Sequence, residues 1–234
     1  MRESGFAATG CAVPARGGPG DRDAGAVRAH LAALVDLVLP GGCGGCGAPV
    51  PPWCPACARE LGAPREVVVP GGPRTVAAGP YTGALRTALL RYKERGRRDL
   101  VGPLADLLTG LLPGTGELHL VPAPSRAPAA RVRGGDHVLR LCRAVAARRP
   151  GVLVHPVLEL GRGARDSVGL GPAERAANLA AHLRVRAAPP PRVLLVDDVV
   201  TTGATLVACR AALTGAGADA VGAAVLCDAT GRHR

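Results

Sequence analysis

The sequence predicts an α/β fold in which helices flank a parallel sheet, with a small accessory module near the N-terminus. Between residues 118 and 226, aliphatic runs alternate with helical patterns, as is typical of a parallel sheet covered on both faces. One of these runs leads into two adjacent carboxylates and a glycine flanked by hydroxyl residues. Upstream of them, four cysteines form two C-x-x-C pairs, which indicates a separate small module.

The composition limits the function classes. The 234 residues suffice for one α/β domain of ordinary size plus a small module. One Trp, one Phe and two Tyr are too few for an aromatic platform that stacks single-stranded nucleic acid. The formal net charge of +11 fits a nucleic-acid or anionic partner, but the arginines are scattered, which favours solvated surface charge. No apolar run reaches the ~18 residues of a membrane span.

Residues 1–26 form the first predicted segment. They are rich in Gly, Ala and Arg and lack the apolar centre of a signal peptide. We therefore predict a disordered tail and a cytoplasmic protein whose cysteines stay reduced.

Residues 27–63 are predicted to form a short helix followed by a metal-binding module. Apolar residues recur at helical spacing from Val27 to Val38, and Pro40 ends the pattern. The two C-x-x-C pairs that follow can supply the four thiolates of a tetrahedral, structural Zn²⁺ site. A redox C-x-x-C is the alternative, but two pairs side by side outside a βαβ unit favour zinc. The predicted ligands are Cys43, Cys46, Cys54 and Cys57.

Residues 64–234 are predicted to form the α/β domain. Two short β-like runs, 67–69 and 75–78, are separated by a Pro-Gly-Gly turn. Helices are predicted at 85–95, 100–112, 137–148, 172–183 and 204–214, and aliphatic runs at 118–121, 152–157, 193–196 and 221–226. Three further cysteines lie in apolar periodic segments and are interpreted as small core residues: Cys142, Cys209 and Cys227.

The stretch V193-L-L-V-D-D-V-V-T-T-G-A-T205 carries the strongest functional pattern. A strand buried on both faces accepts no carboxylate, so we expect it to end before Asp197 and Asp198, which would face a cleft at the carboxyl edge. The next residues supply hydroxyls and backbone N–H groups at a helix N-terminus, where phosphate binds, and Gly203 allows close approach. A sugar phosphate fits both parts of the stretch, with its hydroxyls at the two acids and its phosphate at the loop.

Other anion sites explain this stretch less well. The chain contains no G-x-x-x-x-G-K-[ST] string, and one glycine does not make a dinucleotide fingerprint. A phospho-acceptor aspartate would explain one acid but not the loop that follows.

These thirteen residues are similar, at every position, to the phosphoribosyl diphosphate (PRPP) signature of type I phosphoribosyltransferases. Together with the four-cysteine module, they make the chain resemble the ComF family over residues 27–228. The shorter stretches that add to the resemblance are D36-L-V-L-P, Y81-T-G-A-L-R86 leading to Lys93, V121-P-A-P-S125, R133-G-G-D-H137 and L170-G-P-A-E-R175-A-A-N178.

The resemblance implies binding of PRPP with Mg²⁺ and phosphoribosyl transfer to an unidentified nitrogen acceptor. Asp197 and Asp198 would bind the ribose hydroxyls, and one of them would assist as a base. The loop that would bind the 5′-phosphate consists of Thr201, Thr202, Gly203, Ala204 and Thr205. The candidates on the diphosphate side are Ser125, Arg126, Lys93, Arg133, Arg162 and Arg165, and for the cations other than Arg126 a solvated surface charge is the alternative.

One departure and one rival accompany this interpretation. The family tends to read R-G-F/Y-N-Q where this chain reads R133-G-G-D-H137, and we expect the change to affect acceptor contacts rather than the PRPP half of the site. The rival, implied by the family's association with natural competence, is a non-catalytic PRPP-binding module or an interaction factor for DNA or DNA-processing proteins in DNA uptake.

Overall fold

The computed structural model describes residues 42–49, 52–114, 116–124, 136–161 and 172–231. All of these lie in one compact unit, Gly41–Arg234. The predicted tail and the predicted helix at 27–38 fall outside the described residues. So do five of the diphosphate-side candidates: Ser125, Arg126, Arg133, Arg162 and Arg165.

A six-stranded, mostly parallel sheet forms the centre of the fold. The described residues contain eight strands, of which six form this main sheet. They are β1 (Arg65–Val67), β2 (Thr75–Pro80), β3 (Leu118–Pro122), β4 (Val152–Val154), β5 (Leu158–Leu160), β6 (Leu183–Val185), β7 (Arg192–Val200) and β8 (Asp219–Asp228). The order in the main sheet is β1-β2-β8-β7-β3-β4. Only β1 runs antiparallel to its neighbour there, while β5 and β6 form a separate antiparallel pair.

Five of the α-helices in the described residues lie where the sequence predicts them, and the short helix Pro55–Glu60 within the four-cysteine module was not predicted. In chain order, the described helices are α1 (Pro55–Glu60), α2 (Gly83–Glu94), α3 (Val101–Leu111), α4 (His137–Ala146), α5 (Pro172–His182) and α6 (Ala204–Gly215). The predicted α/β fold class is confirmed. Sequence reasoning missed β5 and β6, because three residues are too few to show a period. None of the helices in the described ranges has the length and apolar character to cross a membrane.

The sheet has an apolar layer on each face. Residues Leu194 and Val196 of β7 join the cluster that contains side chains of α2, α3 and α4. Val193 and Leu195 join the cluster on the other face, which contains side chains of α6 and β8. Successive strand residues point to opposite faces, so one aliphatic run supplies both layers. The three predicted core cysteines, Cys142, Cys209 and Cys227, are completely buried, which confirms that prediction.

The carboxyl end of β7 differs from the prediction. The strand does not end before the two acids but continues through them to Val200. Pairing with β8 continues to Val200, opposite Asp228, whereas pairing with β3 stops at Val196, opposite Pro122. Among the described residues, the last part of β7 therefore has a strand neighbour on one side only.

Candidate functional site

The two adjacent acids lie on opposite faces of β7. Asp197 lines a shallow pocket together with residues of the loop that follows the strand, including Thr201, Gly203 and Thr205. Asp198 is not among the lining residues, and it is only 6% exposed. The pair that the sequence analysis treated as one unit is thus divided by the alternation of the strand.

The loop after β7 has the geometry of an anion site. Gly203 adopts φ +84°, and a Cβ atom there would lie 2.4 Å from Cγ1 of Val69. Glycine is needed both for this backbone conformation and for this close approach. Gly203 occupies the N-cap position of α6 and has no side chain to cap the helix. Apart from the Ala204 N–H, which donates to the Thr202 hydroxyl at 3.3 Å, the first-turn N–H groups are available to a bound anion.

Asp198 makes two charged contacts on the other face. The Lys93 ammonium, from α2, lies 2.7 Å from its Oδ2. The imidazole Nε2 of His137, the first residue of α4, contacts the same oxygen. Both partners come from helices that cover the sheet face opposite α6. Asp198 is therefore held on the sheet face covered by α2 and α4, and not on the face that carries α6 and the pocket.

The two acids also titrate in opposite directions. Burial, together with the negative charge of Asp198, raises the pKa of Asp197 to about 8. Burial alone would raise the pKa of Asp198 as well, but the His137 hydrogen bond and the Lys93 charge lower it well below the usual range. Asp198 is therefore the ionised member of the pair, and an ionised carboxylate only accepts hydrogen bonds. It follows that Nε2 of His137 carries the proton.

The position of His137 is fixed by neighbouring groups. The Asp136 carboxylate caps α4 by accepting from the N–H groups of Val138 at 2.9 Å and Leu139 at 3.1 Å. The hydroxyl of the buried Tyr92 donates to the His137 carbonyl at 2.8 Å. Asp136 and His137, which differ from the family pattern, therefore have structural contacts: Asp136 caps α4 and His137 contacts Asp198. The expectation that the change affects acceptor contacts stays a prediction, although His137 also contacts one of the two acids.

Lys93 is the one diphosphate-side candidate within the described residues. The structure places its ammonium against Asp198, and its side chain is 24% exposed. Lys93 is the only lysine of the chain, and the sequence analysis named it through the resemblance. Sequence reasoning missed His137 and Val69, because no local pattern reveals which distant side chain packs against a strand end.

The four predicted ligand cysteines are brought together. Their sulfur atoms all lie within 4.8 Å of one another. Cys43 and Cys57 are 3.6 Å apart, and Cys46 and Cys54 are 3.7 Å apart. Tetrahedral zinc with Zn–S bonds of about 2.3 Å requires sulfur–sulfur distances of about 3.8 Å. These separations fit such a metal ion and are far too long for disulfide bonds.

The four-cysteine cluster packs on α2. The Arg91 guanidinium donates to the carbonyls of Cys43 and Gly44, each at 3.0 Å. A Cβ atom at Gly45 would lie 2.7 Å from the Cys57 sulfur and 2.8 Å from Cβ of Ala84. The packing of the cluster on α2 therefore requires glycine at position 45.

A comparison with known protein families matches one segment near the C-terminal end of the chain. Residues 190–233 match the phosphoribosyl transferase domain. This phosphoribosyl transferase segment contains β7, the loop, α6 and β8. It therefore includes both acids and the candidate phosphate loop. Among curated proteins, none matches the chain significantly.

Solved structures with distant similarity include hypoxanthine phosphoribosyl transferases. One is Trypanosoma cruzi hypoxanthine phosphoribosyl transferase, with 18% identity and a TM-score of 0.30 over 55% of this chain and 62% of that one. Another is a mutant of the Trypanosoma cruzi enzyme complexed with the product IMP, with 20% identity and a TM-score of 0.28 over 62% and 64% of the two chains. A third is the asparagine mutant of an invariant aspartic acid in HPRTs, with 18% identity and a TM-score of 0.30 over 55% and 63%. The matches span slightly less than two thirds of these structures.

Proposed function

We propose that this protein is a ComF-like phosphoribosyltransferase that binds PRPP with Mg²⁺ and transfers the phosphoribosyl group to a nitrogen acceptor. The observation that carries the proposal is the pocket at the end of β7. It combines a carboxylate, Asp197, with a glycine-containing loop and the open N-terminus of α6. The match of residues 190–233 to the phosphoribosyl transferase domain supports the same ligand class.

The ligand would lie along the pocket with its 5′-phosphate on the loop. The N–H groups of the first turn of α6 and the hydroxyls of Thr201 and Thr205, which line the pocket, would donate to that phosphate, as would the neighbouring Thr202 hydroxyl. The Asp197 carboxylate would accept hydrogen bonds from the ribose hydroxyls. With Mg²⁺ bound, the ionised form of Asp197 would be favoured, and its charge would then stabilise the positive charge that develops on the ribose.

The transfer itself exchanges one bond at ribose C1. The acceptor nitrogen forms a bond to C1 while the C1–O bond breaks, the diphosphate leaves with the electron pair, and the proton of the nitrogen passes to a base. Mg²⁺ takes oxygen ligands, which the Asp197 carboxylate and the diphosphate offer, and when bound it would neutralise charge on the leaving group. We assign diphosphate contacts to Ser125, Arg126, Arg133, Arg162 and Arg165 as proposals from the resemblance, whereas Lys93, the sixth candidate, contacts Asp198 on the opposite face of β7.

The four-cysteine cluster would hold a structural Zn²⁺. All four ligand positions are filled by cysteine, so a bound ion has no open position for substrate. Metal analysis should find about one zinc per chain, and Cys54→Ser should lower both the zinc content and the melting temperature. A fully stable, zinc-free protein would contradict this assignment.

A thermal-shift titration tests PRPP binding. The melting temperature of the zinc-loaded protein should rise with PRPP concentration in the presence of Mg²⁺, by the equivalent of about 2.7 kcal/mol at 100 times Kd. Asp197→Asn combined with Asp198→Asn should abolish the shift. Ribose 5-phosphate, which lacks the diphosphate, is the matched control and should give a smaller shift that does not depend on Mg²⁺. Release of pyrophosphate on addition of nitrogen acceptors then tests transfer.

The competing function is a DNA-uptake or DNA-processing factor, and the net charge of +11 is the observation that favours it. A protein that neutralises several DNA phosphates loses affinity steeply as salt rises. Steep salt dependence of duplex DNA binding, with no PRPP shift, would favour this alternative.

A further inference from the structure

We propose that the two adjacent acids have separate roles: Lys93 and His137 hold Asp198 as a buried anchor for the end of β7, and Asp197 alone presents a carboxylate to the ribose. This inference rests on the proposed function for its ligand, PRPP. It makes Lys93 and His137 positioning residues, which act on the pocket through Asp198. The set of Lys93, His137 and Asp198 is called the anchor below.

The first argument is the occupancy of Asp198. Two donors converge on one of its oxygens, Oδ2, with the Lys93 ammonium at 2.7 Å and the His137 Nε2 in contact. Its side chain is 8% exposed, and that of His137 is 6% exposed. A ribose hydroxyl could reach Oδ2 only by displacing a charged or buried donor. Removing such a donor would leave a buried charge without its partner, which is costly.

The second argument is direction. The anchor lies on the face covered by α2 and α4, whereas the pocket lies on the other side of β7 next to α6. Asp197 is the acid that lines the pocket. Its Oδ1 accepts from the Asp198 N–H at 2.8 Å, so the backbone of the anchored residue also orients the carboxylate of Asp197.

The third argument is where the anchor acts along the chain. Asp198 stands three residues before Thr201, where the loop begins, and β3 no longer pairs with β7 at this point. On the β3 side the strand end lacks ladder hydrogen bonds among the described residues. β8 holds this strand end on one side through Val199 and Val200, and the anchor adds contacts on the sheet face that help to fix the start of the loop. The Tyr92 hydroxyl on the His137 carbonyl and the Asp136 cap of α4 hold the anchor in turn.

The test uses the zinc-loaded full chain and compares Asp197→Asn, Asp198→Asn, His137→Ala and His137→Gln. The Gln side-chain nitrogen can take the position of Nε2 and donate to Asp198 without a ring. His119→Ala, at a histidine that instead contacts His155 at 3.0 Å, is the matched control. Three quantities are measured: PRPP affinity with Mg²⁺, inorganic phosphate affinity as a probe of the loop alone, and amide hydrogen exchange of residues 199–206, with β2 as internal reference.

Asp197→Asn should weaken PRPP binding about tenfold or more, the usual loss for a hydrogen bond to a charged group, and leave phosphate affinity and exchange unchanged. His137→Ala and Asp198→Asn should weaken both ligands and speed exchange of 199–206 relative to β2. His137→Gln should restore wild-type values, because its side-chain amide can donate to Asp198. His119→Ala should match the wild type.

Two outcomes would overturn the proposal. If Asp198→Asn weakens PRPP but not phosphate, with unchanged exchange, then Asp198 is itself a ribose ligand. If His137→Ala leaves exchange and both affinities unchanged, there is no anchor. A wild type that binds phosphate but not PRPP contradicts the proposed function instead, and the exchange of 199–206 still decides whether the anchor exists.

Discussion

Asp197 and Asp198 are neighbours in the chain, yet they occupy opposite environments at the end of β7. The Asp197 side is an open pocket formed by a loop and a helix N-terminus, and burial raises the pKa of that carboxyl to about 8. The Asp198 side is closed, and its carboxylate contacts Lys93 and His137. The same residue type is therefore costly to ionise on one side and stabilised as an ion on the other. The difference shows that the backbone alternation of a strand can divide one sequence motif into a binding half and a supporting half.

The largest effect is expected on the closed side. Asp198→Ala leaves the Lys93 ammonium and the His137 imidazole without their acceptor and should lower the free energy of unfolding by about 3 kcal/mol. Urea denaturation measures this. Asp219→Ala, at an exposed aspartate of β8, is the control and should cost far less. Equal losses in the two variants would contradict a difference between the two sides.

On the open side, the loop should tolerate no added methyl group. In Gly203→Ala the new Cβ meets Val69 and the backbone keeps φ +84°, so we expect a loss of about 2 kcal/mol from overpacking and strain. Gly217→Ala separates the two causes, because Gly217 has φ +82° but nothing within 4 Å. Its loss should be about 1 kcal/mol. If thermal unfolding gives equal losses, the Val69 contact has no role.

Helix α2 extends the comparison to the four-cysteine cluster, since it carries Lys93 towards Asp198 and Arg91 towards the cluster. Arg91→Ala removes two hydrogen bonds to carbonyls and should cost about 1 kcal/mol. It should also speed amide exchange in α2 and around His137, but not in α6. The exposed Arg95, replaced by alanine, is the control. Faster exchange confined to α6 would contradict the connection.

A further prediction concerns the pH dependence of stability. The pKa of Asp197 is raised in the folded state, so its contribution is fully present at low pH and is lost as the pH rises towards about 8. Asp197→Asn removes this loss, and its melting temperature relative to the wild type should increase between pH 5 and pH 8. Asp198→Asn should show the reverse, a deficit at neutral pH that shrinks as the pH falls below the usual aspartate range, because the pKa of Asp198 is lowered.

Local patterns predicted what depends on local chemistry. The aliphatic runs became strands, and the spacing of the two C-x-x-C pairs was enough to predict that four thiols meet. The pattern could not show that β7 continues through its acids, because that depends on where the neighbouring strand β3 stops pairing. Nor could it pair His137 with Asp198, which lies 61 residues away in the chain. A carboxylate in an aliphatic run marks the end of a buried strand only when no buried side chain in the fold pairs with it.

The strand order of the main sheet has a consequence for how the chain folds. β8 lies between β2 and β7, so before it is added the other strands form two separate pieces, β1–β2 and β7–β3–β4. Residue Thr75 of β2 pairs with Ala223 of β8, a contact between distant parts of the chain. Joining such distant segments is slow, because loop closure precedes the stabilising contacts. We expect nascent chains that stop before residue 219 to expose two unpaired strand edges and to depend on chaperones until β8 closes the gap.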